Sequence, residues 1–188
     1  MAVRLIHNKE DNAIYFITFT CFQWIPLFEI SNTYNSVYKW FSYLQQKEIK
    51  IAAYVIMPNH LHCLLHFSIM PQSLNVIVSN AKRFMAQDIL KQLQKNNATN
   101  LLDRLAASVK ERERKKGQLH KVFEDSFDAK QCTSTDFIWQ KINYIHNNPI
   151  SGKWNLAKDA ISYPHSSAGF YEGLKPVCEH LTRIEDIW

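Results

Sequence analysis

Hydrophobic positions along this chain follow two periods, one of two residues and one close to 3.6 residues. Runs rich in β-branched and aromatic residues predict strands at 14–22, 50–57 and 60–67, and a weaker alternation predicts a fourth strand at 121–127. Helical spacing of apolar residues predicts helices at 32–47, 73–95 and 133–148. The first six of these elements in chain order are β-α-β-β-α-β, which predicts an α+β, ferredoxin-like antiparallel sheet with two helices on one face and an added C-terminal helix.

The second and third predicted strands meet at a turn marked by Pro58 and Asn59. Side chains alternate along a strand, so His60 and His62 should project from one face while Leu61 and the residues in step with it line the core face. Two neutral imidazoles about 6 to 7 Å apart along a strand can share a divalent metal if a third ligand comes from elsewhere. Histidines on surface strands are common, so the pair alone leaves a metal site open.

The last predicted helix carries a narrow apolar stripe and a polar face. Ile138, Ile142 and Ile145 form the stripe. Placing residues at 100° intervals puts Tyr144 and Asn148 together on the polar side, one turn apart. A tyrosine in such a position ordinarily only packs along an amphipathic helix, and a functional role needs further support.

Length and composition suit a single domain over residues 1–188, with a core at about 12–150 and a C-terminal extension at 151–188. The four cysteines are far apart and read as reduced thiols. The N-terminus lacks an apolar signal core, and no apolar run reaches the length of a membrane span. These features favour a cytoplasmic protein without a membrane partner.

A formal charge of +5 and an aromatic content of 13% suit a nucleic-acid partner. Basic side chains on the predicted helices and in the charged run at 110–116 are candidates for phosphate contacts, with a solvated cationic face as the alternative. The candidate DNA-binding residues are Lys82, Arg83, Lys141, Arg112, Arg114 and Lys115.

Three ordered segments together resemble a known family. Residues 54–62, Tyr-Val-Ile-Met-Pro-Asn-His-Leu-His, and residues 144–149, Tyr-Ile-His-Asn-Asn-Pro, resemble the motifs of the single-tyrosine HUH transposases, IS200-like enzymes. Within that superfamily the chain is most similar to the REP-associated tyrosine transposases, whose Tyr-Pro-x-Ser-Ser segment resembles residues 163–167.

The resemblance implies a metal-dependent enzyme that nicks and transfers strands of single-stranded or hairpin DNA, as in DNA transposition. It implies that His60 and His62 bind a divalent ion, Mg²⁺ or Mn²⁺, and that Asn148 completes the site. It also implies that Tyr144 is the nucleophile and forms a covalent 5′-phosphotyrosine intermediate. Related proteins are monomers or homodimers, and the short path from the sheet to Tyr144 favours a monomer.

Two other functions remain open on the sequence. A His-x-His metallohydrolase with a water nucleophile would need acidic ligands near the histidines, and residues 49–87 contain no Asp or Glu. A non-catalytic ferredoxin-like module would instead stack bases on sheet aromatics such as Tyr15, Phe19 and Tyr54. Substitution Tyr144→Phe separates the three functions, because only the transposase-like enzyme needs the phenol.

Overall fold

A computed structural model of the chain describes residues 11–152 and 154–188. Four strands form one sheet in the order β2-β3-β1-β4, with every neighbouring pair antiparallel. The strands are β1 (Ala13–Thr20), β2 (Ile49–Met57), β3 (His60–Phe67) and β4 (Asp128–Cys132). This strand order follows from a β-α-β-β-α-β chain path, so the predicted ferredoxin-like fold is confirmed.

The position predicted for the fourth strand, residues 121–127, is wrong. Val122 and Phe123 are buried in the core, but they belong to a loop that meets the end of β1: Val122 accepts a backbone hydrogen bond from Phe22, and Phe123 forms an isolated bridge with Cys21. The strand itself begins at Asp128 and pairs only with β1 at the sheet edge. An edge strand of this kind carries a weak hydrophobic pattern, which explains why the apolar loop before it was the stronger signal.

The described helices are α1 (Leu27–Ile30), α2 (Tyr34–Gln46), α3 (Leu74–Lys95), α4 (Thr99–Ala107), α5 (Glu111–Arg114), α6 (Thr135–Asn147) and α7 (Ala168–Tyr171). The three helices predicted from periodicity correspond to α2, α3 and α6, each within a few residues. Ser134 begins α6 by accepting a hydrogen bond from the Phe137 amide, and Pro149 follows its end within a short 3₁₀ turn. None of the described helices has the length and apolar character of a membrane span.

Helices cover both faces of the sheet. On one face, α2 and α3 pack over a core that includes Ile17, Phe19 and Leu65. On the other face, the stripe of Ile138, Ile142 and Ile145 on α6 packs against a second cluster. The alternation predicted for β3 is therefore present, but the histidine face is also largely covered, and every residue of β3 is buried.

The sheet aromatics are not available to stack nucleic-acid bases. Tyr15, Phe19 and Tyr54 are all buried in the core beneath α2 and α3. The prediction that they could form an open stacking surface is wrong, because two helices cover the face from which they project.

Candidate active site on the histidine face

The turn before β3 fixes the chemical form of His60. The Asn59 amide nitrogen donates to the backbone oxygen of Trp24 at 2.8 Å, so the amide oxygen must face His60 Nδ1, which lies 2.7 Å away. An amide oxygen can only accept, and His60 Nδ1 therefore carries the proton. The lone pair of neutral His60 is left on Nε2, the nitrogen that is free to bind a metal.

His62 lies beside His60 on the same sheet face, as predicted, with 4.7 Å between ring centroids. Its Nδ1 lies 2.6 Å from Thr18 Oγ1, and its ring stacks on Phe16. The Thr18 contact occupies Nδ1 and leaves Nε2 as the remaining ring nitrogen, as in His60. His66 is on this face too, but its Nε2 is bonded to the Asn12 amide oxygen at the far end of the strand.

Burial keeps both imidazoles neutral at physiological pH. Loss of solvation lowers the pKa of His60 to about 4, an effect that Asn148 partly offsets. Loss of solvation, followed by the nearby His60 and Lys141, lowers the pKa of His62 to about 3. Metal ligation requires deprotonated imidazole, so both side chains are in the form that binds a cation.

Helix α6 brings Tyr144 to the histidines. The Tyr144 ring lies 5.1 Å from the His62 ring and 5.9 Å from the Phe16 ring, measured between centroids. The side chain is 49% exposed although Ile142 and Ile145 on the same helix are fully buried. A tyrosine that is half open to solvent beside a buried histidine pair can meet a large substrate from outside, as a packing residue could not.

Asn148 lies at the C-terminal end of the same helix, close to His60. Its Oδ1 is buried and has no hydrogen-bond partner, a costly state for an amide oxygen. The described residues contain no cluster of three or more His, Cys, Asp or Glu, so no carboxylate completes a site with the histidines. Two imidazole nitrogens and one unpartnered amide oxygen therefore form a neutral donor set. This set fits a divalent ion held loosely, with further positions left for oxygens of a substrate.

Lys141 lies one turn before Tyr144. Its ammonium is 5.0 Å from the Phe16 ring centroid, 4.8 Å from that of Phe137 and 6.0 Å from that of Tyr144. No carboxylate among the described residues lies within ion-pair distance of it. The aromatic rings hold the cation in place without neutralising it, so a positive charge stands beside the tyrosine.

The other candidate DNA-binding cations are placed less favourably for this site. Lys82 is largely buried, and its ammonium donates to the backbone oxygens of Glu124, Asp125 and Ser126. Lys82 therefore holds the loop before β4, and a DNA-binding role for it stays a prediction. Arg83 lies over the Phe84 ring on α3, on the opposite side of the sheet.

The three candidates in the charged run lie in and just after α5. Arg114 donates to the backbone oxygens of Ala106 and Val109, and Lys115 pairs with Glu111. Arg112 is exposed. These contacts do not test whether the three residues bind phosphate, so that role stays a prediction.

The segment at residues 163–167 holds α6 to the sheet. Ser167 Oγ is within hydrogen-bonding distance of the Tyr54 amide, the Tyr54 carbonyl and His146 Nε2. All groups are satisfied if His146 Nε2 donates to Ser167, Ser167 donates to the Tyr54 carbonyl, and the Tyr54 amide donates to Ser167. Burial lowers the pKa of His146 to about 4, which is consistent with this neutral form. The motif thus ties α6 to β2.

Sequence reasoning identified His60, His62, Tyr144 and Asn148, and the structure brings them together. It missed the supporting roles of Thr18 and Asn59, which hold the histidine rings. Asn59 was visible only as a turn residue, and Thr18 carried no signal because its partner is far away in sequence.

The fold is that of a tyrosine transposase, as likeness to a solved structure shows. A REP-associated tyrosine transposase bound to a REP hairpin aligns over 97% of this chain and 98% of its own, with 15% identity and a TM-score of 0.60. A candidate transposase from Deinococcus radiodurans R1 aligns over 78% of this chain and 96% of its own, with 16% identity and a TM-score of 0.39. No protein-family model and no curated protein matches the chain.

Proposed function

We propose that this chain is a metal-dependent endonuclease and strand transferase for single-stranded or hairpin DNA. The observation that carries the proposal is the meeting of Tyr144, on α6, with the buried neutral pair His60 and His62 on β3. The fold neighbour is bound to a REP hairpin, which supports hairpin DNA as the partner. We further propose that the chain acts as a monomer, since all four site residues come from one chain.

In the proposed reaction, the phenolic oxygen of Tyr144 attacks the phosphorus of a DNA phosphodiester. A bond forms between that oxygen and phosphorus, the bond from phosphorus to the 3′ oxygen breaks, and the DNA is left with a 5′-phosphotyrosine end and a free 3′-OH. The phenol loses its proton to solvent, and the leaving 3′ oxygen takes one up. Because the tyrosyl link keeps the phosphodiester bond energy, another 3′-OH can reverse the step and join a new strand.

His60, His62 and Asn148 would hold the divalent ion, for which Mg²⁺ and Mn²⁺ are the candidates. When bound, such an ion supplies electrostatic stabilisation of the charge that builds on the phosphate oxygens. Asn59 and Thr18 orient the two imidazoles, and the partly open face of Tyr144 admits the strand. Lys141 adds a fixed positive charge on the same side as the phenol.

The two alternative functions receive less support. A metallohydrolase would leave Tyr144 without a role beside His62, and acidic ligands are lacking among the described residues of the site. A sheet-based binding module would need exposed aromatics, and Tyr15, Phe19 and Tyr54 are buried.

The test is incubation of the protein with a pool of hairpin oligonucleotides and Mg²⁺ or Mn²⁺, followed by a denaturing gel. We expect a protein band shifted by covalently attached DNA that disappears with EDTA and in Tyr144→Phe. Tyr43→Phe is the matched control, because Tyr43 is similarly exposed but lies on α2, away from the site. An adduct that persists in Tyr144→Phe, or DNA binding without any adduct, would contradict the proposal.

A further inference from the structure

Trp24 stands beside the histidine pair with much of its indole exposed. It ends the short 3₁₀ turn Phe22–Trp24 after β1, and its ring lies edge-on to His60, with 5.6 Å between centroids. The residue is 57% exposed. The exposed part of the indole at the rim of the candidate active site is open to a ligand.

The backbone that presents this ring is in an unfavourable conformation. Gln23 has a φ of 51° and Trp24 a φ of 58°, so two consecutive non-glycine residues are in the left-handed region. Such a conformation persists only where the surroundings hold it, and it is typical of functional sites.

Three side-chain hydrogen bonds hold this turn. The Asn59 amide nitrogen donates to the Trp24 carbonyl, the Gln23 amide donates to Glu124 Oε1, and Arg104 donates to Gln23 Oε1 at 2.5 Å. Asn59 is also the residue that fixes the protonated nitrogen of His60. The position of the indole is therefore coupled directly to the orientation of a proposed metal ligand.

The chemistry at this rim suits an unpaired nucleobase. A flat indole offers a stacking surface that accepts any base, and the exposed Arg104 guanidinium on α4 lies next to the same turn, where it can meet a backbone phosphate. On the basis of the proposed function, we infer that Trp24 is a stacking platform for an unpaired base of the DNA strand that passes His60 and Tyr144. The base next to the cleaved phosphate would be held there, which orients the phosphate toward the phenol.

The experiment measures DNA binding without cleavage. Fluorescence anisotropy in EDTA compares a labelled oligothymidylate of about 20 nucleotides, enough to span a single-strand binding site, with an abasic oligomer of the same length. The variants are Trp24→Ala, Trp24→Phe and the matched control Phe84→Ala, since Phe84 is 59% exposed but lies on α3, on the other side of the sheet. Circular dichroism and the thermal midpoint monitor folding.

We expect Trp24→Ala to weaken oligothymidylate binding by roughly 5- to 150-fold, the range of one lost base stack, and to leave binding of the abasic oligomer nearly unchanged. Trp24→Phe should keep most of the affinity, and Phe84→Ala should match wild type. If Trp24→Ala does not fold, Trp24→Leu replaces it, because leucine keeps apolar volume without a ring.

The inference is overturned if the Trp24 variant binds oligothymidylate like wild type, if it loses equal affinity for both probes, or if Phe84→Ala loses as much. Its failure is distinguishable from failure of the proposed function. Covalent adducts with unchanged Trp24→Ala binding would refute the stacking role alone. A base-dependent loss in Trp24→Ala without any Tyr144 adduct would support the stacking role and refute strand cleavage.

Discussion

Replacing Asn59 with alanine should weaken both divalent-ion binding and folding, because one amide serves both. The side chain is almost fully buried, accepts from His60 Nδ1 and donates to the Trp24 carbonyl. Asn59→Ala leaves both of these groups without a partner, and each unpaired group should lower the free energy of unfolding by about 1–3 kcal/mol. For a chain of this length each kcal/mol lowers the thermal midpoint by about 2–4 °C, so the expected drop is roughly 4–24 °C.

The expected loss of divalent-ion affinity follows from the tautomer of His60. Without Asn59, the His60 proton can move to Nε2 and the ring can turn, and loss of such an orienting partner typically lowers metal affinity by about 10- to 100-fold. Titration calorimetry with Mn²⁺ in the absence of DNA measures this directly. Thr18→Ala should give a smaller loss through His62, and Asn75→Ala, at an exposed position on α3, should change neither quantity.

Two results would refute this reasoning. If Asn59→Ala lost stability but bound Mn²⁺ as wild type does, the hydrogen bond would be structural and the assignment of the His60 lone pair irrelevant to binding. If Asn75→Ala reproduced both losses, the effects would not be specific to the site.

Three further outcomes are expected. Ser167→Ala removes the hydroxyl that bonds to both His146 on α6 and the backbone of β2. It should lower the free energy of unfolding by about 1–3 kcal/mol in urea titrations, and an unchanged urea midpoint would contradict the link between α6 and β2. Lys141→Met should slow formation of the Tyr144 adduct by roughly 10- to 100-fold, the loss expected for a charged phosphate contact. Lys141→Arg should restore much of the rate, and equal rates for wild type and both variants would show that Lys141 takes no part in the reaction. Burial lowers the pKa of Lys82 from 10.5 to about 8, so the unfolded chain holds more protons between those values and stability should rise with pH across that window, by up to about 3 kcal/mol. The stability advantage of wild type over Lys82→Met should accordingly grow from pH 8 to 10, and a constant difference would contradict the assigned pKa.

The parts of the fold that sequence predicted well depend on local patterns. The start of β3 was predictable because a turn at Pro58 and Asn59 precedes a period of two, which places His60 and His62 on one face whatever lies around them. Tyr144 was predicted beside Asn148 for the same reason, since helical geometry alone sets that spacing.

The parts that could not be predicted depend on contacts between residues far apart in sequence. The strand β4 has few apolar residues and is defined by pairing with β1, while the more apolar Val122 and Phe123 fill the core from a loop. Likewise, Lys82 is a structural cation only because a loop some forty residues later turns its carbonyls toward it. No local pattern distinguishes such a lysine from one on a solvated face.

The C-terminal extension is part of the working unit, although the pattern of elements ends before it. Strand β2 lies at the sheet edge, and its outer backbone groups bond to the extension: the Ile56 amide donates to His165, and the Ser167 and Thr182 amides donate to the Tyr54 and Ile51 carbonyls. An edge without these partners would expose unpaired donors and acceptors. Because Ser167 also reaches His146 on α6, the extension sets the position of the helix that carries Tyr144. A ferredoxin-like sheet alone would present the histidines, and the extension, together with the isoleucine stripe of α6, holds the tyrosine over them.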